Sequence, residues 1–372
     1  MPHAELKYQI GLTLIKGIGN VLAKNLVAYV GSAEGVFCER QQVLAKIPGI
    51  GEMLSREIVK QEVLERAEKE IQFIEKNGIQ HSFFTDKDYP FRLKECVDAP
   101  TLLFSKGNGG LNDGKFVGIV GTRNATEQGK ENCKNLIADL AALRPNITIV
   151  SGLAYGVDIC AHKSSLELGV PTVGVLGHGL DRIYPAIHRS AASKMIDEGL
   201  LLTEYLSETN PDKPNFVQRN RIIAGLCDAI IVVESGIKGG SLITASVAND
   251  YNRDVFAFPG RVTDDFSIGC NALIKTNRAA LIESGKDLMR FMSWEVCQEK
   301  SAQPMQTVLF TDMSDEEFEI LSVLRKSSDG VQVNELAVVL NKPFSKISSL
   351  LLNMEFGGLV KCLPGGVYRA LK

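Results

Sequence analysis

A chain of 372 residues is too long for one average domain and points to two or three. Its 45% hydrophobic content supports ordinary cores and argues against wholesale disorder. A net charge of −3 and a pI near 6.1 exclude a globally basic molecule, so any nucleic-acid contact must come from a local patch. The eight cysteines (38, 96, 133, 160, 227, 270, 297 and 362) form no C-x-x-C pair, and Cys227 and Cys270 sit inside apolar runs. They read as reduced core residues, not as a disulfide frame or a zinc site. Neither a signal-peptide pattern nor a membrane-spanning run is present, so a soluble cytoplasmic protein without metal or cofactor is expected.

Residues 1–80 contain an internal echo. GIGNVLAKNLV (17–27) and GIGEMLSREIV (49–59) share the pattern G-I-G-x-x-L-x-x-x-[LI]-V. In each, glycines permit a tight turn that opens a helix with apolar residues at helical spacing. The pair resembles a tandem helix-hairpin-helix (SAM-like) module, whose helix-start N–H groups can face a DNA phosphate. A small helical domain whose turns merely need glycine fits the same residues, and the sequence leaves both readings open. A charged helix over KQEVLERAEKEIQFIEKNG follows, and then short lead-in strands.

Residues 81–294 alternate strand and helix patterns. Strands are predicted at KFVGIVG (115–121), ITIVSG (147–152), PTVGVLG (171–177), GLLLTEY (199–205), AIIVVES (229–235) and DVFAFPG (254–260). Short β-branched runs separated by helical patterns imply βαβ crossovers, hence an α/β fold with a doubly wound parallel sheet of extended Rossmann-like type. Beyond a polar linker at 295–311, residues 312–372 show three helical patterns and a hairpin turning at Pro364-Gly365-Gly366, which resembles a winged helix. The third pattern, SKISSLLLNMEF, sets a single lysine, Lys346, against Glu355. A protein contact or a structural role is a better expectation there than duplex reading.

Ligands of doubly wound sheets sit beyond the carboxyl ends of the strands. Those ends read GTRNAT, SGLAYGVD, GHGLDRIYP, SETNPDKPNFVQRNR, ESGIKGGSLITA and PGRVTDDFSIGCN. Glycine turns with free N–H groups make an anion nest, and Arg123, Arg219, Arg221 and Lys238 add charge to it. A dinucleotide enzyme fits poorly. The first turn is not G-x-G-x-x-G, Arg123 fills space a pyrophosphate needs, and Val150-Ser151-Gly152 offers no carboxylate to a ribose. Asp158, His162, Glu204 and Glu234 could serve a nucleotide hydrolase, yet each has a plainer role. Asp158 suits a helix cap, His162 its hydrogen-bond partner or a stacked ring, and the glutamates pair with Arg219, Arg221 or Lys238. No catalytic residue is assigned.

The blocks GTRNAT (121–126), SGLAYGVDICAH (151–162), VGVLGHGLDRIYP (173–185), FVQRNRIIAGL (216–226), KGGSLITASVA (238–248) and DVFAFPGRVTDDFSIGCNALI (254–274) resemble, in order and spacing, the DprA family, also called Smf. The resemblance covers the whole Rossmann-like region, and the flanking helical and winged-helix-like segments fit the longer members. It implies a protein of natural transformation that binds and protects single-stranded DNA. Such a protein loads the RecA recombinase, displaces single-strand-binding protein, and works as a homodimer through the Rossmann-like domain. As DNA contacts the resemblance carries over Gly121, Thr122 and Arg123 from the first loop and Ser151 and Gly152 from the second. Phe216, Arg219, Asn220 and Arg221 come from the fourth loop, and Lys238 and Ser241 from the fifth. Tyr155 or Phe216 would stack on a base, while Arg219 and Arg221 would face a phosphate.

Val217 stands where the family's F-P-x-R-N-R has proline, Tyr155 where a basic residue is frequent, and Gly239 where serine is frequent. These departures leave the affinity open. Three functions are carried forward: a single-stranded-DNA-binding recombination mediator, an enzyme cleaving a nucleotide or base–ribose bond at the same edge, and a scaffold with a vestigial pocket.

Overall fold

The computed structural model describes residues 2–143, 146–294, 314–325, 327, 330–363 and 366–371. The expected linker at 295–311 and the turn residues Pro364 and Gly365 lie outside them. Two compact units, Met1–Val296 and Cys297–Lys372, make up the chain.

Six helices open the first unit: α1 (Pro2–Leu14), α2 (Asn20–Val30), α3 (Ala33–Cys38), α4 (Gln41–Leu44), α5 (Gly51–Lys60) and α6 (Val63–Asn77). Gly17 (φ +89°) and Gly49 (φ +87°) take the left-handed turn that other residues avoid. The two hairpins pack reciprocally. A Cβ on Gly17 would meet Leu54 Cδ2 at 2.9 Å, and one on Gly49 would meet Leu22 Cδ2 at 2.8 Å. Leu22 and Leu54 both stand five residues past the first glycine of their hairpin, so the duplication in sequence becomes a two-fold-like pairing in space. The first hairpin is turned onto the sheet, where Asn20 Oδ1 accepts from Thr101 N at 2.9 Å. The second leaves Glu52 and Met53 exposed.

The sheet follows as β1 (Gln80–Phe83), α7 (Phe91–Lys94), β2 (Leu102–Gly107), β3 (Lys115–Val120), α8 (Glu127–Leu143), β4 (Ile147–Ser151), α9 (Val157–Glu167) and β5 (Thr172–Val175). Then come α10 (Arg189–Glu198), β6 (Leu200–Thr203), α11 (Lys213–Leu226), β7 (Ala229–Val232), α12 (Gly240–Asp250), β8 (Asp254–Ala257), α13 (Ile268–Lys275), β9 (Ala280–Leu281) and α14 (Gly285–Phe291). Nine strands lie in the order β1-β2-β6-β5-β4-β3-β7-β8-β9. Every predicted strand is found, and β3 to β9 pair in parallel. The expected parallel sheet is mixed at one edge, because β2 runs antiparallel to β6 and β1 to β2.

Helices cover both faces. Ile222, Ile223 and Leu226 of α11 and Ala245 of α12 pack on one side, Cys133, Leu136 and Ile137 of α8 and Val157 of α9 on the other. Burial on two faces is why AIIV of β7 is apolar throughout and does not alternate. Phe83, Leu102, Phe104 and Leu206 belong instead to the core of the N-terminal helices, so those helices are joined to the sheet by shared packing. Arg66 Nη2 adds a bond to Ser207 O at 2.7 Å. Seven described cysteines are free thiols. Among the described residues no helix is long and apolar enough to cross a membrane, and no group of three or more His, Cys, Asp or Glu side chains is placed to hold a metal ion.

The second unit contains α15 (Asp315–Leu324), β10 (Val331–Gln332), α16 (Val333–Val339), α17 (Phe344–Phe356), β11 (Val360–Leu363) and β12 (Val367–Ala370), with its strands ordered β10-β12-β11. Three helices and a small sheet give the winged-helix pattern. A capping box of Ser314 and Glu317 starts α15. Lys346 of α17 pairs with Glu316 at 2.5 Å, and Lys342 with Glu319 at 2.7 Å. The third helix therefore shows little free positive charge.

Gly49→Ala should lower stability by about 1–2 kcal/mol, the usual cost of a left-handed backbone for an L residue, and Gly17→Ala should match it. Glu52→Ala on the exposed second hairpin should stay within about 0.5 kcal/mol. Urea unfolding measures all three, and a Gly49→Ala protein as stable as the parent would refute the reciprocal packing.

Candidate nucleic-acid interface

The winding of the sheet reverses at β3, which lies between β4 and β7, so the carboxyl ends of β3 and β7 open a crevice. It is already filled. The Glu234 carboxylate, just past β7, accepts from Thr126 N at 2.9 Å and from Thr126 Oγ1 at 2.5 Å at the start of α8. A Cβ on Gly129 would fall 2.2 Å from that carboxylate. The helix end that holds a pyrophosphate in dinucleotide folds is thus taken by the protein's own anion. Glu234 fastens a loop without pairing with Arg219, Arg221 or Lys238.

Residues 213–226 form the helix α11, not the loop that the sequence suggested, with Pro214 in its first turn. Two residues apart on a helix is about 200° of rotation, so Arg219 and Arg221 cannot face one phosphate. Arg219 points inward and is only 3% exposed. A Cβ on Gly152 would lie 1.5 Å from its Nη1, so the guanidinium occupies the space a side chain at 152 would need. Asp158, in the first turn of α9, is the neighbouring charge, and its Oδ2 accepts from Ala154 N at 3.4 Å. Burial draws Arg219 below its ordinary pKa, opposed by Asp158; burial likewise raises the Asp158 carboxyl, opposed by Arg219. Arg221 leaves the other side of α11 and ion-pairs with Glu204. It borders a cavity of about 590 Å³ between the first hairpin and the sheet, lined also by Asn20 and by Asp98, whose Oδ2 lies 4.0 Å from Arg221 Nε. Neither arginine presents a free guanidinium at the surface.

Several other expected site residues are also fastenings. Ser151 Oγ donates to Ile119 O at 2.6 Å, and Ser241 Oγ donates to Ser235 Oγ at 2.9 Å. Thr122 N donates to Glu234 O at 2.8 Å, and a Cβ on Gly121 would press to 2.4 Å from Val157 Cγ2. His162 bonds Thr172 Oγ1 at 2.8 Å through Nδ1 and is not the partner of Asp158. Burial, its largest cause, pulls the His162 pKa down to about 3, with the Arg219 charge adding to the effect.

What faces solvent is a shelf. Arg123 is exposed, and its guanidinium carbon lies 5.9 Å from the centroid of the half-buried Phe216 ring. Tyr155, 47% exposed, stands edge-on to His188 at 5.1 Å. Asn220 is half-buried, and Lys238 is exposed at the loop before α12. Sequence reasoning passed over two neighbours. Lys213 is exposed in the first turn of α11 and shares a helix face with Phe216 and Asn220 by i, i+3, i+7 spacing. Reading a helix that starts at Lys213, with Pro214 in its first turn, would have found it. Tyr184 lies 5.7 Å, ring to ring, from Phe216, and nothing in GHGLDRIYP signalled that approach.

The family model for DNA recombination-mediator protein A matches residues 80–293, more than half of the chain. The chain belongs to that family. The protein Smf of Synechocystis sp. is 36% identical to it over 296 residues, which cover 78% of this chain and 73% of that protein. The X-ray structure of DNA processing protein A (DprA) from Streptococcus pneumoniae is 35% identical and superposes with a TM-score of 0.67, covering 76% of this chain and 97% of that one. DNA processing protein A from Helicobacter pylori, whose structure concerns its single-stranded DNA binding mode, is 30% identical with a TM-score of 0.52. That match covers 58% of this chain and 96% of the other. The Rossmann-like sheet expected from sequence is the one these family members share.

Arg221→Ala should cost about 3–5 kcal/mol in urea unfolding, because it strands Glu204 as a largely buried carboxylate. Arg123→Ala, on the exposed shelf, should stay within about 0.5 kcal/mol. Equal effects of the two would overturn the division between fastening and surface arginines.

A pH series tests the buried histidine. Its folded pKa is depressed, so the stability it contributes is present above pH 6.5 and is lost as pH falls toward 3. In that window the unfolded chain binds a proton the folded chain refuses, a slope of up to about 1.4 kcal/mol per pH unit. His162→Gln should flatten the slope, and an unchanged slope would show that His162 is not the group responsible.

Proposed function

We propose that this chain binds single-stranded DNA on the exposed shelf of Arg123, Phe216 and Tyr155, with Lys213 and Lys238 as flanking cations. It serves as a recombination mediator that protects the strand, loads a RecA-type recombinase onto it and displaces single-strand-binding protein. The observation that carries the reading is the contrast at the sheet edge. The interior anion positions are occupied by the protein's own carboxylates, whereas exposed cations and aromatic faces lie outside them. Exposed cations hold a phosphate backbone, and aromatic faces stack on bases of any sequence. A paired base has no free face, which gives the single-strand preference. Family membership and the Helicobacter pylori relative support the same ligand.

Within this reading Arg219, Ser151 and Gly152 act from behind the surface, by setting the loops that carry Thr122, Arg123 and Tyr155, and Ser241 does so by holding Ser235 in the loop that carries Lys238. The helical segment 1–80, the Rossmann-like segment 81–294, the linker 295–311 and the winged-helix-like segment 312–372 are proposed as separate functional parts. The Rossmann-like part forms the homodimer, and the work is cytoplasmic. Hydrolysis of a nucleotide is the weaker reading, because Asp158, His162, Glu204 and Glu234 are each engaged in fastening contacts.

Fluorescence anisotropy with labelled oligo-dT and a duplex of equal length, each at two salt concentrations, tests the proposal. Oligo-dT should bind more tightly than duplex, and binding should weaken with salt. Arg123→Ala should weaken it further and make the slope of log K on log salt shallower by about 0.7, the loss of one single-strand phosphate contact. Equal affinity for duplex, or an unchanged slope in the variant, would sink the site. Product release from a nucleotide panel would favour the hydrolase instead.

A further inference from the structure

The loop after β5 folds Tyr184 back over α11. Its ring is 46% exposed and lies 5.7 Å from the Phe216 ring, with the planes inclined by 36°. The Arg123 guanidinium also approaches Phe216, its central carbon 5.9 Å from the ring centroid. Phe216 itself is seated on Gly177, where a Cβ would come within 2.9 Å of its Cδ1, so the middle ring is fixed from below. Phe216 thus has two planar neighbours from separate loops, the Arg123 guanidinium and the Tyr184 phenol ring. A half-exposed tyrosine at this place contributes little to a core, since its outer face meets solvent.

We infer that Tyr184 is the outer member of a base-stacking shelf, and that it receives the base next to the one stacked over Phe216 and Arg123. The inference rests on the single-stranded DNA reading and extends it to a residue and a contact that the reading did not include. Stacking is tolerant of base identity because every base has a π face. The ring spacing limits the shelf to unpaired bases, which can turn one by one to meet two inclined planes. The phenol hydroxyl is not needed for this, but the ring is.

The experiment compares oligo-dT with an abasic phosphodiester strand of equal length, for wild type, Tyr184→Phe, Tyr184→Leu and Arg123→Ala. Leucine keeps the apolar bulk that a packing role would use while removing the π face. Tyr184→Leu should weaken oligo-dT binding about 5- to 150-fold, with abasic binding nearly unchanged and Tyr184→Phe close to wild type. A Tyr184→Trp variant gives an independent readout, since its emission should be quenched when oligo-dT binds and should not be when the abasic strand binds. Oligo-dT binding that Arg123→Ala weakens but Tyr184→Leu leaves alone, without quenching at position 184, would overturn the inference and leave the DNA reading intact. Equal losses on oligo-dT and the abasic strand would also overturn it, because they mark a structural role. If wild type binds neither strand, the DNA reading fails and the inference falls with it.

Discussion

The Glu234 carboxylate at the start of α8 decides what the carboxyl edge of this sheet can hold. A helix N-terminus in a Rossmann-like crevice is a ready anion site, and here the anion is a side chain. One consequence is chemical, because a nucleotide pyrophosphate finds its usual seat taken. The other is mechanical. The Glu234 main-chain carbonyl accepts from Thr122 N, so the same residue fixes both ends of GTRNAT and leaves Arg123 as its exposed apex. The second loop is fixed in turn by the buried Arg219 beneath Gly152. On the proposed single-stranded DNA reading, recognition then falls to the exposed surface outside these fastenings.

This division also explains why one protein of net negative charge can present a local cationic edge. The carboxylates that lower its net charge include Glu204, Glu234 and Asp158, and these are spent on interior contacts near the site. Their fields are partly cancelled by Arg221 and Arg219, while Arg123, Lys213 and Lys238 remain exposed. In the second unit Lys342 and Lys346 are matched by Glu319 and Glu316. In the N-terminal repeat the first hairpin is bonded to Thr101 through Asn20, whereas Glu52 and Met53 of the second are exposed.

The strands were legible because burial on two faces leaves short, wholly apolar, β-branched runs that little else produces. The antiparallel edge was less so, since β1 is exposed along most of its length and lacks that signature. The helix α11 was misread for a definite reason. Its first half, KPNFVQ, opens with a lysine, a proline and an asparagine, and its second half, IIAGL, is buried throughout, so no 3.6-residue alternation appears. The apolar residues after Arg221 span the end of α11 and the start of β7. Misreading the helix made Arg219 and Arg221 look like neighbours on a loop. Once the helix is known, their opposite directions follow from geometry alone. Residue types at the site were readable from sequence, but partners such as Glu204 for Arg221, or Tyr184 beside Phe216, depend on which loops the sheet order brings together.

The most direct test of the surface shelf is photo-cross-linking of an oligonucleotide carrying 5-iododeoxyuridine, followed by peptide mapping of the full-length protein. Cross-links concentrated at Tyr155, Tyr184 and Phe216 are the expected result. Cross-links confined to the second hairpin around Glu52 and Met53, or to α17 of the second unit, would contradict it and move the DNA path off the sheet edge.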